Sequence, residues 1–367
     1  MRCNILSNYT AKNQAQVLEK ILSNISEEYL KMPGTFTYDF SNAVAILAQE
    51  YELEIEEIWN YFNIDNLTGE ILEQRTQQLK GISRKAGTRA VGELTVTGNG
   101  TINIGDLFET VNAVQFRATE TKKITDVGTV KIEAVLTGDI GNVGAKSITL
   151  MPVTIQGIKT VTNNKATYDG FEEESDTSLK ERYYIAVRTP ATSGNMYHYK
   201  QWSREVVGVG DSKVFPLWNG RNTVKVVIID SNRQPASSEL VKKVQEYIDP
   251  MGEDDTTWGA GYGTAPIGAY CTVISAQAKN IDIEVRIVKE TGAELETVKE
   301  IISNNVTEFL KTIAFQKDYV SYSLIANTIL ESAGVAEWVE LKVNNGTNNV
   351  DVGVEEVAVL NTVNVYE

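Results

Sequence analysis

Histidine and cysteine are almost missing from this 367-residue chain, which holds one histidine, His198, and two cysteines, Cys3 and Cys271. Two thiols exclude a disulfide framework, and Cys271, inside the run Tyr270-Cys271-Thr272-Val273-Ile274, reads as a small core residue. A zinc site takes three or four His or Cys ligands at fitting intervals, and these scattered residues do not supply them. A nucleophilic triad would have to use His198, which lies in the aromatic run Met196-Tyr197-His198-Tyr199. No Gly-x-Ser-x-Gly turn accompanies it, so His198 carries no catalytic expectation.

Other absences narrow the function further. No apolar run approaches the roughly 18 residues of a membrane span. The segment Met1–Asn8 has one positive charge and no apolar core behind it, unlike a signal peptide. Folding in a cytoplasm is therefore expected, and the sequons at Asn8, Asn66, Asn305 and Asn345 carry little meaning. Lys and Arg total 34 against 49 acids, a formal charge of −15. That field repels phosphate backbones, and Lys122-Lys123 and Lys242-Lys243 are isolated pairs, so nucleic acid is not an expected partner. The chain contains neither a phosphate-binding Gly-x4-Gly-Lys-Ser/Thr loop nor a 12-residue calcium loop. Gly259-Ala260-Gly261-Tyr262-Gly263 is glycine-rich but lacks a strand–turn–helix frame, and reads as a flexible surface or contact loop. No catalytic, cofactor-binding or metal-ligating residue is assigned.

What remains is an ordinary globular composition, 42% hydrophobic and 23% charged, long enough for several cores. The expected fold class is α+β and multidomain. Residues 1–88 read as an N-terminal helical domain. Val17, Leu18, Ile21, Leu22 and Ile25 share a face of a first helix ending near Tyr29. A longer helix, capped by Asp39 or Ser41, carries Val44, Leu47, Tyr51, Ile55, Ile58 and Phe62 on one stripe that must pack on something. A third helix runs from Gly69 to Ile82.

Residues 89–165 change texture. Leu94 and Val96, then Phe116 and Ala118, then Val130, Ile132 and Ala134 alternate with polar residues, and glycine clusters at 98–100, 105 and 138–141 mark turns. This reads as a small all-β sandwich or barrel. Residues 166–280 read as an α/β domain: a helix opening at Glu174-Ser175-Asp176, another after Ser193-Gly194-Asn195, a hairpin signalled by Asn219-Gly220, and a helix from Ser237 to Ile248. A strand region comes next over Tyr270–Val288. Residues 281–367 read as an α+β domain with helices Leu295–Ile313 and Tyr322–Leu330 and two terminal strand regions. The C-terminal half is then either two small α/β layers or one composite layer.

Among enzyme classes a glycoside hydrolase needs least, two carboxylates. Glu253, Asp254 and Asp255 stand beside Trp258 and Tyr262, which could stack on a sugar. The plainer reading is an exposed acidic loop whose aromatics pack on a neighbour. A receptor-binding module would bring fibre-like glycine patterns, which are missing.

The order of segments resembles the baseplate J family, the wedge proteins of contractile-tailed phages and R-type bacteriocins. Three stretches carry the resemblance: Gly69 to Leu72 with Gly81 to Gly92; the glycine-marked β region with Gln115 to Thr119 and Gly138 to Val143; and Ile158 to Asn163, Gly170 and Glu174 to Arg182, on through Thr192 to Val209. Phe171 stands where the family pattern has a second glycine. The resemblance implies a structural subunit that catalyses nothing, needs no cofactor and assembles around a central hub. Implied partners are other wedge proteins, copies of itself, the hub and tube, and sheath-proximal proteins, within a particle assembled in the bacterial cytoplasm. Hinging near Gly87 and Gly170 would suit a shape-switching assembly.

Overall fold

A computed structural model describes residues 9–188 and 192–367, so Cys3 and the Asn8 sequon lie outside it. The chain divides into two compact units. One takes the residues through Ser83 with Leu179–Tyr183; the other takes Arg84–Ser178 with Tyr184–Glu367.

The first unit is helical: α1 (Gln14–Ser23), α2 (Phe36–Asn60) and α3 (Gly69–Lys80). Asn13 and Gln16 close a reciprocal cap at the start of α1, each side chain accepting the other's backbone N–H at 3.0 Å. The helix stops at Ser23, short of Tyr29, where the Asn24 side chain donates back to the Lys20 carbonyl at 2.9 Å. Helix α2 starts earlier than Asp39 or Ser41. Thr35, directly after the Pro33-Gly34 turn, accepts the Tyr38 N–H, which leaves Asp39 in the first turn and Ser41 buried. Gly81 ends α3 at φ +70°, the left-handed closure that glycine adopts without strain. Val17, Ala45, Ile64, Leu67, Leu72 and Leu179 are the buried hydrophobic residues of this unit. The Lys180 ammonium reaches the Asp65 carbonyl at 2.8 Å and the Arg182 guanidinium the Ser83 carbonyl at 2.6 Å.

The second unit opens with β1 (Val91–Ile102), β2 (Leu107–Thr110), β3 (Gln115–Ala118), β4 (Lys122–Ala134), β5 (Ile148–Leu150) and β6 (Ile158–Thr162), in the order β5-β2-β3-β4-β1-β6. Strands β5 and β6 come alongside each other, so the sheet curls into a nearly closed barrel. Asn163 links them, accepting the Ile148 N–H on its side chain at 2.9 Å and the Lys146 N–H on its carbonyl at 2.6 Å. The expected alternation holds: Leu94, Val96, Phe116, Ala118, Val130, Ile132 and Ala134 all point into one core. Gly98-Asn99-Gly100, read from sequence as a turn, lies inside β1 and pairs with β4 throughout. These glycines serve close approach instead. A Cβ on Gly98 would stand 2.2 Å from the Gly157 carbonyl oxygen, and one on Gly100 2.3 Å from that of Gln156.

Two paired segments tie the barrel to the C-terminal half. Thr88 exchanges backbone hydrogen bonds with Phe171, and Val91 with Tyr168. Gly87 and Gly170 sit in this ribbon, and a Cβ on Gly170 would meet the Gly138 carbonyl oxygen at 2.4 Å. Tight packing accounts for these glycines. Phe171, in place of a glycine, is buried in the next core.

After α4 (Asp176–Arg188), whose residues Leu179–Tyr183 belong to the helical unit, that core is built by α5 (Met196–Glu205), β7 (Val209–Pro216), β8 (Thr223–Asp230), α6 (Ser238–Ile248) and β9 (Tyr270–Ser275). Strand β8 lies centrally, antiparallel to β7 and parallel to β9. The hairpin expected through Asn219-Gly220 is the β7–β8 connection: pairing runs to Pro216↔Val224, and Leu217, Gly220 and Asn222 all take positive φ. The region 270–288 also divides at Ala276, because β10 (Gln277–Lys289) enters another sheet. With α7 (Leu295–Ile313), β11 (Tyr319–Val320), α8 (Tyr322–Leu330), β12 (Val335–Val343), β13 (Val350–Asp351) and β14 (Glu356–Tyr366) it completes the chain; the sheet order is β12-β10-β14, and β11 pairs with β13.

The C-terminal half thus has two three-stranded sheets with a shared seam. Val226 and Ile228 of β8 face α5 and α6, while Val227 and Ile229 face Ala276, Ala314 and Val357. Burial on both faces explains the unbroken apolar run Val226–Ile229. Lys225 seals the seam, paired with Glu355 and 4.7 Å above the Trp218 ring.

Candidate assembly surface

Helix α2 turns its polar side inward. Glu52 accepts the Tyr9 hydroxyl and pairs with the Lys12 ammonium at 3.3 Å, and Asn42 accepts the Gln14 amide at 2.7 Å. The Tyr9 hydrogen bond holds the Glu52 carboxyl below its ordinary range. Ser41 and Ala45 are the residues of this helix that become fully buried. The opposite side carries Phe36, Phe40, Val44, Leu47, Tyr51, Ile55 and Ile58, with Phe62 in the turn just past the helix, and all are exposed, from 39% at Val44 to 84% at Phe36. Spacings of four, four and three residues keep the seven helical ones within an arc of about 100° at 3.6 residues per turn. Over the helix's 25 residues this makes an apolar ridge about 37 Å long at 1.5 Å per residue. Sequence reading found six of these residues; Phe36 and Phe40 join because the helix begins sooner. A continuous apolar ridge on an acidic protein is a surface suited to burial against another chain.

The sequence-derived chemical candidates take structural roles. His198 Nδ1 accepts the Gly194 N–H at 3.0 Å, beside the Asn195 cap of α5, and its ring stacks 4.7 Å from Trp202. Glu253, Asp254 and Asp255 form one exposed 3-10 turn. Trp258 is not offered to a sugar: its indole N–H donates to the Cys271 carbonyl at 2.8 Å and its ring meets Tyr270 edge-on. The glycine-rich loop is anchored rather than free. Asp249, fully buried, accepts the N–H of Gly259 at 3.0 Å and of Cys271 at 2.9 Å. Cys271 is buried, which pushes its thiol pKa up and away from reactivity. Among the described residues no group of three or more His, Cys, Asp or Glu is placed to hold a metal ion, and no helix is long and apolar enough to cross a membrane.

Three buried or half-buried polar groups escaped the sequence reading. Asp211 is ringed by Lys200 at 3.2 Å, Arg204 at 3.6 Å and Arg233 at 3.9 Å, an ion cluster that locks α5 to β7. Asp230, at the end of β8, is pushed by burial up to about 7. The Tyr199 hydroxyl is buried with no partner among the described residues, and burial lifts its pKa to about 12. An acid in a polar stretch gives no sign of burial until helices and strands converge on it.

Three family models match this chain: the Baseplate J-like protein barrel domain over residues 93–170, the Baseplate J-like central domain over 191–275 and the Baseplate J-like protein C-terminal domain over 281–366. Relatives include the phage-like element PBSX protein XkdT and the uncharacterized protein YqbT, both of Bacillus subtilis strain 168. Each is 35% identical over 96% of this chain and 97% of the relative. The baseplate protein gp47 of Escherichia phage Mu is 33% identical over 62% of this chain and 63% of its own length. A chain of the anti-feeding prophage baseplate matches at 11% identity and a TM-score of 0.39, covering 94% of this chain and 90% of that one. With three matching domain models in sequence order and full-length relatives above 30% identity, this chain belongs to the baseplate J-like family.

Proposed function

We propose that the chain is a structural subunit of the baseplate of a contractile phage tail or phage-tail-like particle, built into a wedge around the central hub. Family membership supports the baseplate assignment, and the apolar ridge of α2 supports assembly. A helix that packs its polar side within its own unit and presents seven apolar residues outward is shaped to be completed by another subunit. The partners on this reading are other wedge proteins, further copies of the chain, the hub and tube, and sheath-proximal proteins, joined in the bacterial cytoplasm. Four functional parts, residues 1–88, 89–165, 166–280 and 281–367, divide the work, with the helical part making the docking contact. The subunit performs no catalysis: His198 and Trp258 are committed to local hydrogen bonds, and the acids at 253–255 lie on an open turn.

The test is Leu47→Glu with Ile55→Glu. Both side chains are already about half exposed, so helix content and melting temperature of the isolated chain should hold. Fully burying one such side chain is worth roughly 1.5–3 kcal/mol, and each replacement also places a charge in the contact. The double variant should therefore be missing from assembled particles, seen as loss of contractile tails by electron microscopy. Normal particles containing the double variant would refute the docking role of this ridge.

A further inference from the structure

A strand at the edge of a sheet is an open template unless something blocks it. The two three-stranded sheets have four edges, and among the described residues three of them are blocked. On β9, the Cys271 and Val273 N–H groups are taken by Asp249 at 2.9 Å and Gln245 at 2.8 Å, and the Cys271 carbonyl receives Gln245 and Trp258. On β7, Val209–Ser212 are buried, Lys85 donates to the Val209 carbonyl, and Pro216 ends the strand without an N–H. Strand β12 is broken by two register shifts and carries Glu337, Glu340 and Lys342.

Strand β14 has one register shift, at Asn361, and none of these defences beyond it. It pairs with β10 on one side only, and its register runs unbroken from Asp282↔Thr362 to Arg286↔Tyr366. Between Glu356 and Glu367 there is no charged residue and no proline. Val363 and Val365 point into the core with α7, while Thr362, Asn364 and Tyr366 are exposed on the other face.

We propose that residues 362–366 of β14 pair antiparallel with the same segment of a second copy of this chain, about a two-fold axis at Asn364. Charge and symmetry select the occupant. A chain of net charge −15 repels its copies over most of its surface, and an uncharged strand can lie against itself without like charges opposite. In this register Asn364 faces Asn364, whose amides can donate to and accept from each other, Thr362 faces Tyr366, and Val363 faces Val365. Both apolar faces then fall on the same side, and the two sheets become one of six strands. The contact is isologous and closes at two copies. It deepens the baseplate reading by naming one partner and its docking strand.

Directly opposed residues in an antiparallel pair have Cα atoms about 4.5–5.5 Å apart, within disulfide reach. The full chain carrying Cys3→Ser and Asn364→Cys should therefore form a covalent dimer under mild oxidation. It should do so far faster than the same chain with Glu337→Cys on β12 in place of Asn364→Cys. Asn364→Lys and Asn364→Asp should each be monomeric by sedimentation, with unchanged circular dichroism, and mixing the two should restore a heterodimer. Cross-linking at 364 no faster than at 337, or Asn364→Lys dimerising like the unaltered chain, overturns the pairing. If either occurs while the chain still enters particles, only the pairing falls; absence of the unaltered chain from particles would instead overturn the baseplate reading.

Discussion

Replacing Asp249 by alanine strands two buried backbone donors at once. The carboxylate is fully buried at the end of α6 and receives Gly259 and Cys271 N–H groups that are themselves buried. A hydrogen bond to a charged group contributes about 1.5–3 kcal/mol net, and a buried donor left unmade costs about 1–3 kcal/mol. These quantities overlap, so Asp249→Ala should cost about 3–5 kcal/mol, a large share of a typical domain's 5–15 kcal/mol. The Asp249→Asn variant keeps one acceptor and should lose about half as much. The damage should be local as well as global, because Asp249 ties the start of the loop 251–268 to the outer edge of β9. Urea unfolding gives the overall loss, and hydrogen exchange of the segment 249–275 gives its location. A cost under about 1 kcal/mol in the alanine variant, with exchange at Gly259 and Cys271 unchanged, would refute the claim that this carboxylate holds the loop and shields the strand.

Tyr199→Phe removes a buried hydroxyl that has no partner among the described residues, so stability should stay level or rise by about 1 kcal/mol; a loss above that in thermal unfolding would contradict its isolation. Asp230, with a folded pKa of about 7, keeps in the folded state a proton that the unfolded chain releases near pH 4. Its contribution to stability therefore falls by about 1.4 kcal/mol per unit as pH rises from about 4 to about 7, and stays low above that. Asp230→Asn should match the unaltered chain near pH 4, exceed its stability near pH 8 and flatten the decline between. Parallel unfolding midpoints across that range would show that Asp230 is not the group responsible.

Much of the fold is legible in local pattern. The period-two alternation of Leu94 and Val96, Phe116 and Ala118, and Val130 to Ala134 predicts the barrel core residue by residue, because adjacent strand side chains cannot share a face. Helices Leu295–Ile313 and Tyr322–Leu330 end where their apolar spacing ends. Glycine was the weaker guide. At 98 and 100 it serves a crossing backbone and not a turn. Which need a glycine meets depends on chain that is distant in sequence.

By itself the sequence determined the α+β class, the family resemblance and the existence of an apolar stripe on α2, since each rests on residue type and short-range spacing. Tertiary structure alone decided which way that stripe faces. Hydrophobic periodicity shows that a helix has an apolar side, and only the polar contacts of Glu52 and Asn42 show that this side is turned away from its own unit. The same holds for Asp249 and β14: burial of a carboxylate and the openness of a strand edge are properties of neighbours, and neighbours are set by the fold.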